Sequence, residues 1–328
     1  METTRVLDPH DVRFFSGRSH PALAAGIADY LSIELDPSHT SRFNNDNLYV
    51  QLGAPVRGRT VLILQSLIPP VSDYLLELLM MCDIARSAAA REVHAIIPYY
   101  SYARSDKKDA PRISITARLV ADLLKTAGAT HVMTMTLHSP QVHGFFGVPT
   151  DPLTSRPLFV KYFRERELNP NEMIVVAPDL GRAKPTARFA AELGLNVATA
   201  DKTRISDTEV VIRGLVGKQV KGFKQALIYD DEIATGGSVV ELSKVLIANG
   251  VEHIIVTCTH GLFVGPALER LAGIPQIKEI VCTDTVPVPP EKRLPNMTVL
   301  SVAPVFGEAI QRNYLRESLS GLFAYAED

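Results

Sequence analysis

The stretch from Gln225 to Ser238, QALIYDDEIATGGS, restricts what this chain can fold into more than any other. Ala226 to Tyr229 is a short, continuously apolar run, which predicts a buried strand. Asp230 and Asp231 follow at its carboxyl end, where open α/β sheets place their ligands. Ala234, Thr235, Gly236, Gly237 and Ser238 then form a turn of small residues. Val239, Val240, Leu242 and Leu246 recur at helical spacing, so a helix is predicted over 237–248. Backbone N–H groups in a glycine-rich turn, at the positive end of a helix, make a cradle for a phosphate. Two strand-end carboxylates can accept hydrogen bonds from the vicinal hydroxyls of a sugar. Phosphate cradle and diol acceptor side by side describe a ribose 5-phosphate site. A lone TGG would be an ordinary helix start, with Gly for the turn and Asp for the cap; the paired acids after an apolar strand set this stretch apart.

The remaining composition narrows the class. The chain has 328 residues, a length that suggests two domains, and 46% of them are hydrophobic, enough to build real cores. The formal net charge is -2 with no long block of Lys or Arg, which argues against nucleic acid or an anionic membrane as partner. Cys82, Cys258 and Cys282 are scattered through apolar segments without a CxxC pair, the pattern of a reducing compartment. The first residues, METTRVLDPHDVR, carry charge where a secretory leader carries an apolar core. The apolar runs are too short to span a membrane, and a cytoplasmic location is expected.

Periodicity organises the rest. Strands are predicted at 12–16, 48–52, 60–65, 93–99, 131–136, 173–178, 196–200, 209–215, 253–259, 277–283 and 297–303. Helices alternate with them at 19–31, 73–89, 114–125, 157–166, 183–193, 265–272 and from Val305. The segment 147–157 carries three prolines and is read as a domain junction. Alternating strands and helices with continuously apolar strands indicate an α/β fold class: two domains with mostly parallel sheets. An internal repeat supports duplication. GATHVMTMTLH, from Gly128 to His138, aligns with GVEHIIVTCTH, from Gly250 to His260, keeping the glycine, both histidines and the strand between them in register.

Other stretches carry chemistry beside an ordinary structural reading. Phe43 to Asn47, FNNDN, can stack on a purine and bond its edge through amides, or be a polar turn. Arg104, Lys107 and Lys108 in YARSDKKD can neutralise a polyphosphate, or be a solvated loop. His138 ends a strand and can ligate a metal or a phosphate, or be structural. Asp179 in VVAPDLGRAK is placed to ligate magnesium, or to cap a helix. Lys202 and Arg204 in ADKTRIS lie in a predicted loop between strands, from where both can swing onto transferring phosphates, or remain exposed charges.

These fragments, in this order, resemble the phosphoribosyl pyrophosphate synthetases (ribose-phosphate pyrophosphokinases). FFSGRSH, VRGRTV, YARSDKKD, LHSPQVHGFF, APDLGRAK, DKTR, THGLFVGPA and ESLSGLF contribute along with the opening stretch, from about Val12 to Phe323. The resemblance implies two duplicated phosphoribosyltransferase-type domains over 1–152 and 153–304, the second binding ribose 5-phosphate. A C-terminal helix over 305–328 would return to the first. It implies ATP-binding roles for Phe43, Asn45, Asn47, Arg104, Ser105, Lys107 and His138, with Mg²⁺ held at His138 and Asp179. It implies a catalytic pair, Lys202 and Arg204, and a ribose 5-phosphate site at Asp230, Asp231, Ala234, Thr235, Gly236, Gly237, Ser238 and Arg204. Arg57, Ser318 and Ser320 match a regulatory anion site, and a homo-oligomer built on dimers is expected. Asn47, Ser105, Thr136 and Ala234 depart from common residues of the family, as do Pro55 and Pro152 near the regulatory positions. The implied reaction is pyrophosphoryl transfer from ATP to the C1 hydroxyl of ribose 5-phosphate. Two rival readings stand beside it: a type I phosphoribosyltransferase, and a non-catalytic regulatory homologue of the synthetase.

Overall fold

The computed structural model describes residues 7–204, 210–217 and 219–323, and leaves the side chains of 202–204 and 210–213 outside that description. By its internal contacts the chain divides into two compact units, Met1–Thr154 with Ser301–Asp328, and Ser155–Leu300.

The first unit runs β1 (Val12–Ser16), α1 (Pro21–Leu31), β2 (Ser38–Arg42), β3 (Leu48–Leu52), β4 (Thr60–Leu64), α2 (Val71–Ser87), β5 (Glu92–Ile97), α3 (Thr116–Ala127), β6 (His131–Met135) and β7 (Thr150–Leu153). Strands β1, β4, β5, β6 and β7 lie side by side in that order, all parallel. TVLIL of β4 is buried at every position, as a strand covered on both faces must be. Hairpin β2–β3 stands apart as a two-stranded antiparallel sheet.

The second unit contains α4 (Arg156–Arg164), β8 (Met173–Ala177), α5 (Ala183–Glu192), β9 (Asn196–Arg204), β10 (Val210–Gly217), β11 (Gln225–Ile233), α6 (Gly237–Ala248), β12 (His253–Gly261), α7 (Ala267–Ala272), β13 (Ile277–Thr283) and β14 (Met297–Leu300). Its sheet order is β10-β9-β8-β11-β12-β13-β14, parallel except for the β9–β10 pair. Alternation along the strands feeds two cores. Ile174, Val176, Ala226 and Ile228 pack with Val239, Leu242 and Leu246 of α6, whereas Val175, Leu227 and Tyr229 pack with Phe159, Phe163 and Phe189 of α4 and α5. Phe189 stacks on Tyr229 with ring centroids 4.3 Å apart.

Helix α8 (Ala303–Tyr314) belongs to the first unit and packs on α1. Gly26 lies close to Ala303, and Gly307 lies under the Tyr30 ring.

The repeat read from the sequence has a structural counterpart. α3–β6 and α6–β12 are equivalent helix–strand pairs, and both helices end through a left-handed glycine, Gly128 at φ 115° and Gly250 at φ 95°. In each the next amide reaches back to the same carbonyl, Ala129 N to Leu124 O at 3.0 Å and Val251 N to Leu246 O at 3.1 Å.

Several expectations need correction. The division between the units falls after Thr154, inside the proline-rich segment 147–157, but that segment also contributes β7, which tolerates Pro152 because it is the edge of its sheet. The polar β2 has no apolar alternation and carried no strand signal. Ser19 does not open α1: His20 caps it, its Nδ1 accepting from Leu23 N at 3.2 Å, and Ser19 is turned inward. The C-terminal helix starts at Ala303 and stops at Tyr314, followed by a short 3₁₀ turn over Ser320–Leu322; residues 324–328 lie outside the described residues. Lys202 and Arg204 sit on β9 rather than in a loop, paired with Ile212 and Val210.

Candidate active site

In the second unit the predicted residues converge on three neighbouring strands. β9, β8 and β11 are adjacent and parallel, so Lys202 and Arg204, Asp179, and Asp230 all lie toward the carboxyl ends of one stretch of sheet. The Lys202 and Arg204 side chains lie outside the described residues.

β11 runs further than its apolar run, and both acids belong to it, with Asp230 opposite Cys258 on β12. Asp231 is only 4% exposed, and its Oδ1 lies 3.8 Å from Nε of Arg182, itself buried. Asp230 is half-buried and keeps surface for a solute. Its Oδ1 accepts from the Asp231 amide at 2.8 Å. Burial, then the Asp231 carboxylate beside it, push the Asp230 carboxyl well above the usual carboxylate range, against the opposing pull of Arg182. For Arg182 burial works against its charge, but Asp231 and Asp230 outweigh it and hold the guanidinium firmly protonated.

Beyond β11 the chain turns through Ala234 and Thr235 to Gly236, which caps α6 in the left-handed conformation at φ 74°. Gly236 makes no side-chain cap to the first turn of α6, and a glycine turn entering a helix is the arrangement an anion cradle uses. The loop after β12 holds the turn in place. Val264 N donates to Ala234 O at 2.9 Å, and Arg270 Nη1 donates to Thr235 O at 3.2 Å. Gly237 and Ser238 begin α6.

Asp179 lies just past β8 and caps the 3₁₀ turn Leu180–Arg182, its Oδ1 accepting from Arg182 N at 3.1 Å. That contact also fixes the turn that presents Arg182 to Asp231. Sequence reasoning passed over Arg182. The available signal was an arginine in a strand-end loop beside an acid, which looks like any exposed charge until the fold buries it.

In the first unit, Arg104, Ser105 and Lys107 follow β5, and His138 follows the adjacent β6, again beyond carboxyl ends. Arg104 and Lys107 are exposed; the Ser105 carbonyl accepts from Ala117 N at 3.2 Å and ties the loop to α3. His138 is exposed, whereas its repeat counterpart His260 is buried, with Nδ1 2.9 Å from the Thr285 hydroxyl. Between β6 and His138 the backbone passes through Thr136 at φ 44°, a strained conformation for a β-branched residue and a frequent mark of a functional loop.

Phe43, Asn45 and Asn47 form the tip of the β2–β3 hairpin. Phe43 is 57% exposed, packed edge-on against Tyr49 at 5.7 Å, and Asn45 Oδ1 accepts from Asn47 N at 3.3 Å. Arg57 is exposed ahead of β4, at the amino end of the sheet. Ser318 and Ser320 share a hydroxyl contact of 3.0 Å and lead to Phe323, which bridges Leu153 of β7. Among the described residues no hydrogen bond joins Arg57 to Ser318 or Ser320.

A parallel sheet whose strand-end acids run into a glycine-capped helix defines an α/β protein of the phosphoribosyl-binding class. Residues 12–128 match the N-terminal domain of ribose phosphate pyrophosphokinase, and residues 210–324 match the phosphoribosyl synthetase-associated domain. The chain is 46% identical to the ribose-phosphate pyrophosphokinase of Deinococcus radiodurans, over 94% of this chain and 97% of that one. It is 41% identical to that of Clostridium acetobutylicum, over 95% of this chain and 97% of that one. The crystal structure of phosphoribosylpyrophosphate synthetase from Mycobacterium smegmatis superposes with a TM-score of 0.86 at 36% identity, covering 93% of this chain and 99% of that one. The chain belongs to the ribose-phosphate pyrophosphokinase family.

Proposed function

We propose that this enzyme transfers the pyrophosphoryl group of Mg-ATP to the C1 hydroxyl of ribose 5-phosphate, releasing AMP and phosphoribosyl pyrophosphate. The observation that carries the reading is the passage from Asp230 through the Gly236 turn into α6, which offers a carboxylate and a row of amide donors to one sugar phosphate. The turn Ala234 to Ser238 holds the 5-phosphate, and Asp230 accepts from the ribose hydroxyls. Asp231 acts mainly through Arg182, whose charge offsets part of the repulsion between the two acids. Phe43, Asn45 and Asn47 receive adenine; Arg104, Ser105, Lys107 and His138 receive the polyphosphate. Lys202 and Arg204 neutralise charge that builds on the transferred group. Phosphoryl chemistry of this kind needs positioning and charge neutralisation more than covalent help.

Asp179 offers the oxygen donor that Mg²⁺ prefers. Among the described residues no group of three or more His, Cys, Asp or Glu makes a ready cage, and Mg²⁺ normally takes one or two protein ligands together with substrate phosphates. His138 and Asp179 are the residues we assign to it; when bound, the ion would neutralise phosphate charge. No helix among the described residues is long and apolar enough to cross a membrane, and we assign the enzyme to the cytoplasm as a homo-oligomer.

The test is direct. Purified protein incubated with Mg-ATP and ribose 5-phosphate should yield AMP and phosphoribosyl pyrophosphate in equal amounts. Absence of AMP would favour a regulatory homologue. Release of pyrophosphate from added phosphoribosyl pyrophosphate and a base would favour a transferase.

A further inference from the structure

Glu77 is a fully buried carboxylate with no part in the reaction as described so far. It lies in α2 among leucines, where its Oε1 accepts from the Thr40 hydroxyl at 2.7 Å and from Arg18 Nε at 3.2 Å. Its Oε2 accepts from Gln65 Nε2 at 2.8 Å. Gln65, also fully buried, is the first residue past β4. Its Oε1 accepts from Ser19 N at 3.0 Å, and its Nε2 also donates to Tyr74 O at 3.1 Å. Ser19 answers by accepting from Ser66 N at 2.8 Å. Gly17 makes the arrangement possible, since a methyl group there would collide with the Gln65 amide. The network therefore ties the carboxyl ends of β1 and β4 to α2, and α2 to the hairpin strand β2.

A second grip lies one helical turn away. Asp73, four residues before Glu77 and so on the same face of α2, accepts from Arg42 Nη2 at 2.6 Å. Arg42 is two residues beyond Thr40, on the same face of β2. Two neighbours on a helix face thus meet two neighbours on a strand face. Arg42 also donates through Nη1 to the carboxylate and carbonyl of Asp46, both at 2.7 Å, inside the hairpin turn. The Asp73–Arg42 pair is partly exposed and weak on its own. Glu77 is the anchor, because hydrogen bonds to a buried charged acceptor are stronger and costlier to lose than an exposed pair.

We propose that Glu77, with Thr40 as its contact on β2, is a positioning residue for the nucleotide: it fixes the direction of the hairpin and hence where Phe43, Asn45 and Asn47 stand. The inference rests on the assignment of that tip to adenine. A two-stranded hairpin is marginal alone, so its tip is only as well placed as the element it is pinned to.

Thr40→Val removes the hydroxyl while keeping the shape. It should raise KM for ATP about tenfold, the equivalent of one hydrogen bond to a charged group, with KM for ribose 5-phosphate near wild type. Thr40→Ser should restore KM for ATP. Wild-type KM for ATP in Thr40→Val, alongside a raised KM in Phe43→Ala, overturns the positioning role alone. Equal rises in both KM values also overturn it. An unchanged KM for ATP in Phe43→Ala, in an enzyme that forms AMP, overturns the adenine assignment and this inference with it.

Discussion

His94 shows how burial beside a second histidine can make one residue sensitive to pH. Burial first, and then the His131 ring 4.8 Å away, pull its pKa down to about 4, partly offset by Glu92 and Asp151. Its folded pKa is thus below its unfolded one, so it contributes stability above about pH 6.5 that is lost as pH falls toward about 4. Denaturant unfolding from pH 7 to 4 should show a steeper loss in wild type than in His94→Gln, by on the order of 3 kcal/mol at most. Parallel curves would show that His94 does not titrate in this way. Lys202 belongs to the same scale. Lys202→Ala should lower kcat by roughly 10²–10³, the scale of losing one charge-stabilising donor, with an unchanged unfolding midpoint. Near-wild-type turnover would remove Lys202 from the catalytic set.

At the scale of elements, the turn between β11 and α6 depends on one backbone angle. Gly236 at φ 74° has Ala267 O 3.5 Å from where a Cβ would stand, so an alanine fits in space but not in conformation. Gly236→Ala should cost about 1 kcal/mol of stability and raise KM for ribose 5-phosphate as the cradle amides turn away. An unchanged KM would place the phosphate elsewhere. This element was also the most legible in the sequence, because an apolar run, a glycine turn and a helical period each carry an independent local signal. What was hidden depended on tertiary neighbours. β7 contains a proline and is a strand only because it lies at an edge. β2 is polar because one face meets α2 through Thr40 and Arg42 rather than through apolar packing. Glu77 looks like a surface acid until Arg18, Thr40 and Gln65 arrive from distant segments. Asp179 offered two alternatives in the sequence, magnesium ligand or helix cap, and the contact present in the structure is a cap, on the turn Leu180–Arg182.

At the scale of the molecule, the second unit is one uninterrupted stretch with a core on each face of its sheet. Residues 155–300 expressed alone should therefore fold cooperatively. Ribose 5-phosphate at about a hundred times Kd should stabilise the fragment by about 2.7 kcal/mol, seen as a raised melting temperature, without any AMP formation from Mg-ATP. A fragment that folds without responding to the sugar phosphate would mean that the turn is insufficient for binding.

The first unit is built differently, from both ends of the chain, with α8 laid against α1. On a ribosome, which releases the amino end first, this reverses the usual order of maturation. The middle of the chain can finish folding while the opening domain still lacks its last helix. Until Ala303–Tyr314 emerges, the α1 surface that receives it stays uncovered, and the nascent enzyme is open to chaperones, proteases and sister chains. Truncation ahead of Ala303 would thus damage the unit whose sheet was made first.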